Sequence, residues 1–164
     1  RIMRLDMIYL WLAEAEVELG DLERARTLVN AIRTRAANPD GFVPLATQGT
    51  DRNDFTIEAG TPAANYDIAT YDDAWTDPVT ARKAVRFETR LEFALEGHRF
   101  FDLQRWGIAA QTLNAYIASE SQQRTYLSGK SFVAGKNEFF PIPIEAIDRS
   151  SIEGQPTLTQ DPAY

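Results

Sequence analysis

The opening segment of the chain is apolar on almost every side, and this feature constrains the fold most. From Ile2 to Leu19 apolar residues recur at helical spacing over a far wider arc than one stripe. Met7 and Leu10 are expected on the solvent side. A helix of this kind needs neighbours on several sides, so the segment predicts a fold of several packed helices. The predicted inward arc consists of Leu5, Ile8, Tyr9, Trp11, Leu12, Ala15 and Leu19.

A second helix is predicted directly after the first. Gly20 ends the first helix and Asp21 caps the second, which runs to about Ala37. Residues 1–37 therefore resemble one tetratricopeptide unit, with small residues and a turn glycine at the positions that this repeat requires. One such unit cannot bury both of its faces, so further elements must stack on it. The apolar stripe of the second helix is Leu22, Ala25, Val29, Ile32 and Ala36.

Residues 42–76 have no sustained period and are predicted to form a long irregular loop. Its aromatic residues indicate that the loop is ordered. The stretch from Asp51 to Asp77 holds seven acidic residues against Arg52, a local balance of −6 within a chain of net charge −7. An acidic chain without clustered Lys and Arg is not a nucleic-acid binder, so no nucleic-acid partner is predicted.

Residues 77–118 are predicted to form further helices. Asp77 caps a third helix that starts at Pro78 and runs to Gly97. A short helix with Leu103 follows, and then another from about Ile108 to Ala118. The Pro-punctuated tail, residues 119–164, is predicted to be extended, with a short hairpin between residues 132–133 and 139–140. The predicted buried stripe of the third helix is Ala84, Phe87, Leu91, Ala94 and Leu95.

The third helix carries two rows of like charge at i, i+4 spacing. One row is Glu88, Glu92 and Glu96, and the other is formed by Arg82, Arg86 and Arg90. Like charges at this spacing destabilise a helix, so both rows are predicted to be mostly buried and paired within the protein. Further candidate partners of the glutamates are Arg33, Arg35, Arg99 and Arg105. An alternative interpretation, a glycosidase carboxylate pair, is disfavoured because carboxylates along a helix are commonly structural.

The remaining motifs exclude most enzyme classes. The chain has no cysteine and one histidine, His98, so it cannot build a thiolate site, a histidine triad or a multi-histidine metal centre. Asp72 and Asp73 lack the EF-hand spacing of a calcium loop. We therefore predict no catalytic residue, no metal site and no cofactor. Because the chain opens inside a helical pattern without an initiator Met, an upstream part is expected.

Four segments resemble the SusD/RagB family in the family's own order. The run RFETRLEFALEGHRFFDLQRW (86–106) resembles its signature, and the opening helix pair resembles its last tetratricopeptide-like unit. FFPIPIEAID (139–148) resembles its Phe-Pro-Ile-Pro segment. QDPAY (160–164) resembles its terminal Gln-Asn-Pro-Gly-Tyr and departs from it at Asp161 and Ala163. The loop 42–76 lies outside the resemblance.

The resemblance implies an all-α, tetratricopeptide-like fold and a non-enzymatic binding role. Members are outer-membrane lipoproteins, lipid-anchored and surface-exposed, that capture oligosaccharide for a SusC-like TonB-dependent transporter. It also implies that residues 1–164 are a C-terminal family domain of a longer chain, with the lipid anchor upstream. The main alternative is a tetratricopeptide-like scaffold that binds protein and no sugar; a glycosidase comes third.

Ligand contacts within this chain are predicted on the loop 42–76. Tyr66, Tyr71 and Trp75 offer aromatic faces, and Asp72 offers a carboxylate beside them. Sugars have apolar C–H faces that stack on rings, and hydroxyl groups that donate to carboxylates. Binding residues also concentrate on loops that a rigid scaffold supports. The competing interpretation is that these aromatic residues only anchor the loop to the helices.

Overall fold

A computed structural model describes residues 3–164 of the chain, so the predicted helix position Ile2 lies outside the described residues. Helices dominate this part of the chain, which confirms the predicted mainly α fold. The chain divides into two compact units, Arg1–Phe93 and Ala94–Tyr164. The helices are α1 (Leu5–Leu19), α2 (Leu22–Ala36), α3 (Pro78–Glu92), α4 (Arg99–Arg105), α5 (Ala109–Glu120) and α6 (Ile144–Arg149); the strands are β1 (Pro44–Gln48) and β2 (Phe55–Pro62).

In the first unit, α1 and α2 form a helical hairpin and α3 packs against both. Gly20 adopts a left-handed φ of 90°, which ends α1, and the Asp21 carboxylate accepts from the Arg24 N–H at 3.0 Å, as predicted for a cap. Fully buried alanines on each helix let the three backbones approach closely. The core of the unit consists of Met7, Leu10, Ala13, Val17, Ala25, Val29, Ile32, Ala81, Val85 and Phe93.

The predicted inward arc of α1 is wrong. Leu10, expected on the solvent side, is 1% exposed, whereas Leu5 and Leu19 are 62% and 81% exposed. Ile8 and Trp11 are about half exposed as well. Both sides of α1 are apolar, so its periodicity does not say which side the neighbouring helices cover.

The start of α3 is confirmed and its end is not. The Asp77 carboxylate accepts from the N–H groups of Val79 and Thr80, and Pro78 occupies the first helical position. The helix ends at Glu92 rather than near Gly97, because Leu95 adopts a left-handed φ of 66° that cannot continue a helix. Its buried side is Ala81, Ala84, Val85, Glu88 and Thr89, while Phe87, Leu91 and Leu95 of the predicted stripe, and Ala94, are exposed.

The predicted irregular loop contains a β-hairpin. β1 pairs with β2 in antiparallel register, with Leu45 opposite Glu58 and Gln48 opposite Phe55. Apart from Leu45, which is half-buried, every residue of both strands is exposed. A hairpin without a buried face has no alternation of apolar and polar residues, so period-based analysis misses it. Residues 63–77 are irregular, as predicted.

In the second unit, α4 and α5 pack together at the predicted positions. The tail is less extended than predicted, because α6 and a 3-10 helix, Thr125–Leu127, interrupt it. The predicted hairpin between residues 132–133 and 139–140 is wrong: the Asn137 N–H donates to the Val133 carbonyl at 3.0 Å and closes a helical-type turn. Gly135, with φ of 76°, lies inside that turn.

Candidate functional site

Three of the four predicted ligand residues lie around one cleft in the first unit. The cleft has a volume of about 510 Å³ and is lined by residues 70–77 together with Thr80 of α3. Tyr71, Asp72 and Trp75 are all part of this lining. Asp73, Ala74, Asp77 and three threonines complete it, so aromatic, acidic and hydroxyl-bearing residues share one concave surface.

The two aromatic residues of the cleft form an edge-to-face pair. The ring centroids of Tyr71 and Trp75 are 5.4 Å apart with an interplanar angle of 70°. Both side chains are half-buried and pack against the helical core, so they also anchor the segment, as the competing interpretation expects. The Arg33 guanidinium lies 4.9 Å from the Tyr71 ring centroid. Burial raises the pKa of the Tyr71 hydroxyl above its ordinary value of 10.0.

Side chains of α2 hold the cleft segment in place. The Asn30 amide accepts from the Tyr71 N–H at 2.8 Å and donates to the Tyr71 carbonyl at 3.0 Å. Arg26 donates to the carbonyls of Tyr71 and Asp72. One turn further, Arg33 donates to the carbonyl of Ala69. Arg26, Asn30 and Arg33 recur at helical spacing, so they lie on one side of α2. The sequence signal for this role is Asn30, because asparagine is a poor helix former and its presence inside a helix indicates another use.

The charge of the cleft is negative. The Asp72 carboxylate accepts from the Thr70 hydroxyl at 2.7 Å. Hydrogen bonds from the Thr80 side chain and from the backbone of Thr80 and Val79 lower the pKa of Asp77, so this carboxylate is ionised at neutral pH. The nearby Arg26 is paired with Glu23 at 2.5 Å, and this hydrogen bond is the main reason that its pKa is raised.

Tyr66, the fourth predicted ligand residue, is not among the residues that line this cleft. Its ring stacks on Phe42 with centroids 4.2 Å apart and an interplanar angle of 10°. Its hydroxyl accepts from the Val43 N–H at 3.1 Å. These contacts hold the two ends of the hairpin segment together.

Comparison with known families gives a match to the SusD family over residues 1–164. The chain belongs to the SusD family. Members are binding proteins rather than enzymes, generally surface lipoproteins of the outer membrane, and membership implies nutrient binding. Comparison with individually curated proteins finds no match.

The charged rows of this SusD-family chain are largely structural. Glu88 accepts from Arg33 at 2.7 Å, and Glu92 accepts from both Arg4 and Arg35 at 2.8 Å. Pairing of the carboxylate row with Arg33 and Arg35 was predicted and is confirmed at these two glutamates. None of the three glutamates of the row lines the cleft.

The prediction that both charged rows are mostly buried is wrong at three positions. Arg82 is paired with Glu18 at 2.6 Å, but the pair lies on the surface. Arg90 and Glu96 are exposed too. Arg82 lies at the edge of the buried side of α3, Arg90 lies on its exposed side, and Glu96 follows the end of the helix.

Residues 3–164 contain no group of three or more acidic, histidine or cysteine side chains placed to hold a metal ion. No helix among them combines the length and the apolar character that crossing a membrane requires.

Proposed function

We propose that this SusD-family protein captures oligosaccharide at the cell surface and passes it to a SusC-like TonB-dependent transporter, without catalysing a reaction. One observation carries the proposal: Tyr71 and Trp75 line the same cleft as the carboxylates of Asp72 and Asp73. An aromatic face beside hydrogen-bond acceptors is the combination that sugar rings require, because they present apolar C–H groups on one side and hydroxyls at the edge.

The shape and chemistry of the cleft suit a small part of a longer glycan. Its volume of about 510 Å³ lies in the range of small-molecule sites, and it is open to solvent. Asp72 and Asp73 accept hydrogen bonds from sugar hydroxyls, while Thr76 and Thr80 both donate and accept. Members of the family are binding proteins rather than enzymes, which supports binding without turnover.

Family membership supports the proposed location and partner. We propose a lipid-anchored protein on the outer face of the outer membrane, in which residues 1–164 form a C-terminal family domain and the anchor lies upstream. The SusC-like transporter is the proposed protein partner. Oligosaccharide is the proposed ligand, and no cofactor or nucleic acid takes part.

One observation favours a second candidate function, a protein-binding scaffold. The outward side of α1 exposes Leu5, Ile8, Trp11 and Leu19 in one helical stripe. Exposed apolar stripes on helices are typical of protein-protein contact surfaces. A scaffold without a sugar site would bind protein through α1 and show no glycan affinity.

Titration calorimetry with neutral hexasaccharides tests the proposed function, with the panel maltohexaose, cellohexaose and N-acetylchitohexaose. Trp75→Leu removes the flat ring and keeps apolar volume against the core. By analogy with stacking of bases on aromatic side chains, the variant should lose about 1–3 kcal/mol of binding free energy, roughly a factor of 5 to 150.

The matched control is Tyr66→Leu, which removes an aromatic ring outside the cleft. It should leave glycan affinity unchanged and lower the melting temperature, because the stack with Phe42 is lost. If Trp75→Leu lowers the melting temperature and leaves the affinity unchanged, the ring only anchors the segment and the proposed site is wrong.

A further inference from the structure

We propose that the cleft selects its glycan by charge: it takes neutral or amino-substituted sugars and excludes those that carry uronate or sulfate groups. This inference rests on the proposed function and adds the substrate class. It follows from three features of one surface: aromatic rings that can stack on a sugar, carboxylates beside them, and arginines that are already paired with other groups of the protein.

Carboxylates provide all of the formal charge in the lining. Asp72, Asp73 and Asp77 lie within the segment 70–77, and the residues that line the cleft, all of them in the described part of the chain, include no Lys, Arg or His. Asp77 is ionised, but the N–H groups that open α3 donate to it and offset part of its negative potential. Asp72 and Asp73 are exposed and lie between Tyr71 and Trp75 in sequence, and all four residues line the same cleft, so a sugar stacked on either ring would lie near these carboxylates.

The cations behind the cleft segment are engaged by groups of the protein. Arg26 is paired with Glu23 and donates to the carbonyls of Tyr71 and Asp72. Arg33 is paired with the buried Glu88 and donates to the carbonyl of Ala69. Carboxylate and sulfate ligands are often bound by two parallel hydrogen bonds from an arginine guanidinium. Here the guanidinium groups of Arg26 and Arg33 are bonded to other groups of the protein.

An anionic sugar in this cleft would therefore lose hydration beside fixed carboxylates without gaining the guanidinium of Arg26 or Arg33. A neutral sugar has no charged group to desolvate and is not repelled by the carboxylates. An ammonium group at the sugar C2 position would gain charge-assisted hydrogen bonds to Asp72 or Asp73. In this type of selection the protein repels the anionic sugars, so the neutral sugar can be preferred without any additional contact to it.

The test compares hexasaccharides with the same backbone that differ in the charge of one substituent on each sugar. Maltohexaose and cellohexaose are each measured beside their C6-oxidised, uronate-bearing forms, and N-acetylchitohexaose is measured beside the glucosamine hexamer. Whichever neutral sugar binds, its uronate form should bind at least about tenfold more weakly at low salt, and 1 M salt should narrow the gap, because salt screens exposed charges. The glucosamine hexamer should bind more tightly than its acetylated form.

Asp73→Asn provides the decisive variant, because it removes one charge and keeps the size of the side chain. It should reduce the discrimination against uronates, measured as the ratio of the neutral to the uronate affinity, by about threefold or more, whatever the variant does to the neutral affinity itself. Glu58→Gln, which removes a carboxylate of β2 that does not line the cleft, should leave the discrimination as it is.

The outcomes separate this inference from the proposed function. Uronate forms that bind as tightly as the neutral sugars would overturn the charge selection and leave glycan capture standing. An unaltered discrimination in Asp73→Asn would also overturn it. Absence of binding for the whole panel, charged and neutral, would overturn glycan capture at this cleft and the inference with it.

Discussion

The side-chain amide of Gln160 pairs with both backbone hydrogen-bonding groups of Ile142. Its carbonyl oxygen accepts from the Ile142 N–H at 3.1 Å, and its NH₂ donates to the Ile142 carbonyl at 2.9 Å. The same two-point pairing joins Asn114 to Phe132, and Asn30 to Tyr71. In each case the side-chain amide bonds to the backbone N–H and carbonyl of a residue in an irregular segment, as a neighbouring strand would do in a sheet.

This pairing connects two of the segments that resemble the family, FFPIPIEAID and QDPAY. Gln160→Glu keeps the acceptor and replaces the donor with a charged oxygen that faces the Ile142 carbonyl. We expect the free energy of unfolding to fall by about 1–3 kcal/mol, the cost of leaving a partly buried carbonyl without its donor. Urea denaturation measures it. Gln155→Glu, an exposed position whose backbone bonds to Ile152, should change stability far less.

Buried and exposed ion pairs on α3 should differ in their contribution to stability. The Glu92 side chain is 10% exposed and accepts from two arginines, so Glu92→Ala leaves both cations without it. Because Arg4 and Arg35 are themselves 32% and 53% exposed, we expect a loss of about 1.5–3 kcal/mol, the range for hydrogen bonds to charged groups. Glu18→Ala breaks the surface pair with Arg82 and should cost at most about 1 kcal/mol. Equal melting of the two variants and the parent would refute the structural role of Glu92.

Stability should fall in acid partly through Asp77. Its folded-state pKa lies below the ordinary value of 3.8, because the Thr80 hydroxyl and the first N–H groups of α3 donate to it. The contribution is therefore fully present above pH 3.8 and is lost as the pH falls through the lower folded-state pKa. Asp77→Asn also caps a helix but does not titrate in this range. The free energy of unfolding of this variant should depend less on pH between pH 4 and pH 2 than that of the parent protein. Parallel curves for variant and parent would contradict this.

The parts of the fold that follow from local chemistry were predictable from the sequence. Asp21 and Asp77 are predictable as caps because a short acidic side chain directly before a helical pattern can accept hydrogen bonds from the first free N–H groups of the helix. The cost of a like-charge row on one helix predicted that the glutamates are paired, with Arg33 among the candidate partners, and the structure pairs Arg33 with Glu88. Tyr71, Asp72 and Trp75 lie within five positions of one another, so a single fold of the chain brings them to the same cleft.

The parts that depend on distant segments were not predictable from periodicity. Whether Leu10 or Leu5 faces inward depends on where α2 and α3 pack, and both sides of α1 are equally apolar. The exposed hairpin leaves no alternating pattern. Tyr66 is separated from its stacking partner Phe42 by 24 positions, and no local signal distinguishes a ring that anchors a hairpin from one that lines a cleft.

The exposed side of α1 should drive self-association of residues 1–164 in solution. A contiguous apolar stripe on one helix favours contact with a second apolar surface. Ile8→Glu places a charge within the stripe and should shift sedimentation toward monomer at a given concentration. Ala31→Glu adds the same charge on the exposed face of α2 and should not. A parent protein that is monomeric at all concentrations would show that the stripe does not associate.

The last prediction concerns Asn30, which positions the cleft without lining it. Asn30→Leu removes both hydrogen bonds to Tyr71, so the Tyr71 amide should exchange with deuterium much faster, and glycan affinity should fall about tenfold as the aromatic pair loses its fixed position. Asn30→Asp keeps the acceptor for the Tyr71 N–H but sets a carboxylate against its carbonyl. It should therefore preserve the slow exchange of that amide better than Asn30→Leu does, while still weakening binding. Asn53→Asp makes the same change of charge at the hairpin tip and should alter neither quantity. Fast exchange at Tyr71 combined with unchanged affinity would mean that ligand capture does not depend on this segment.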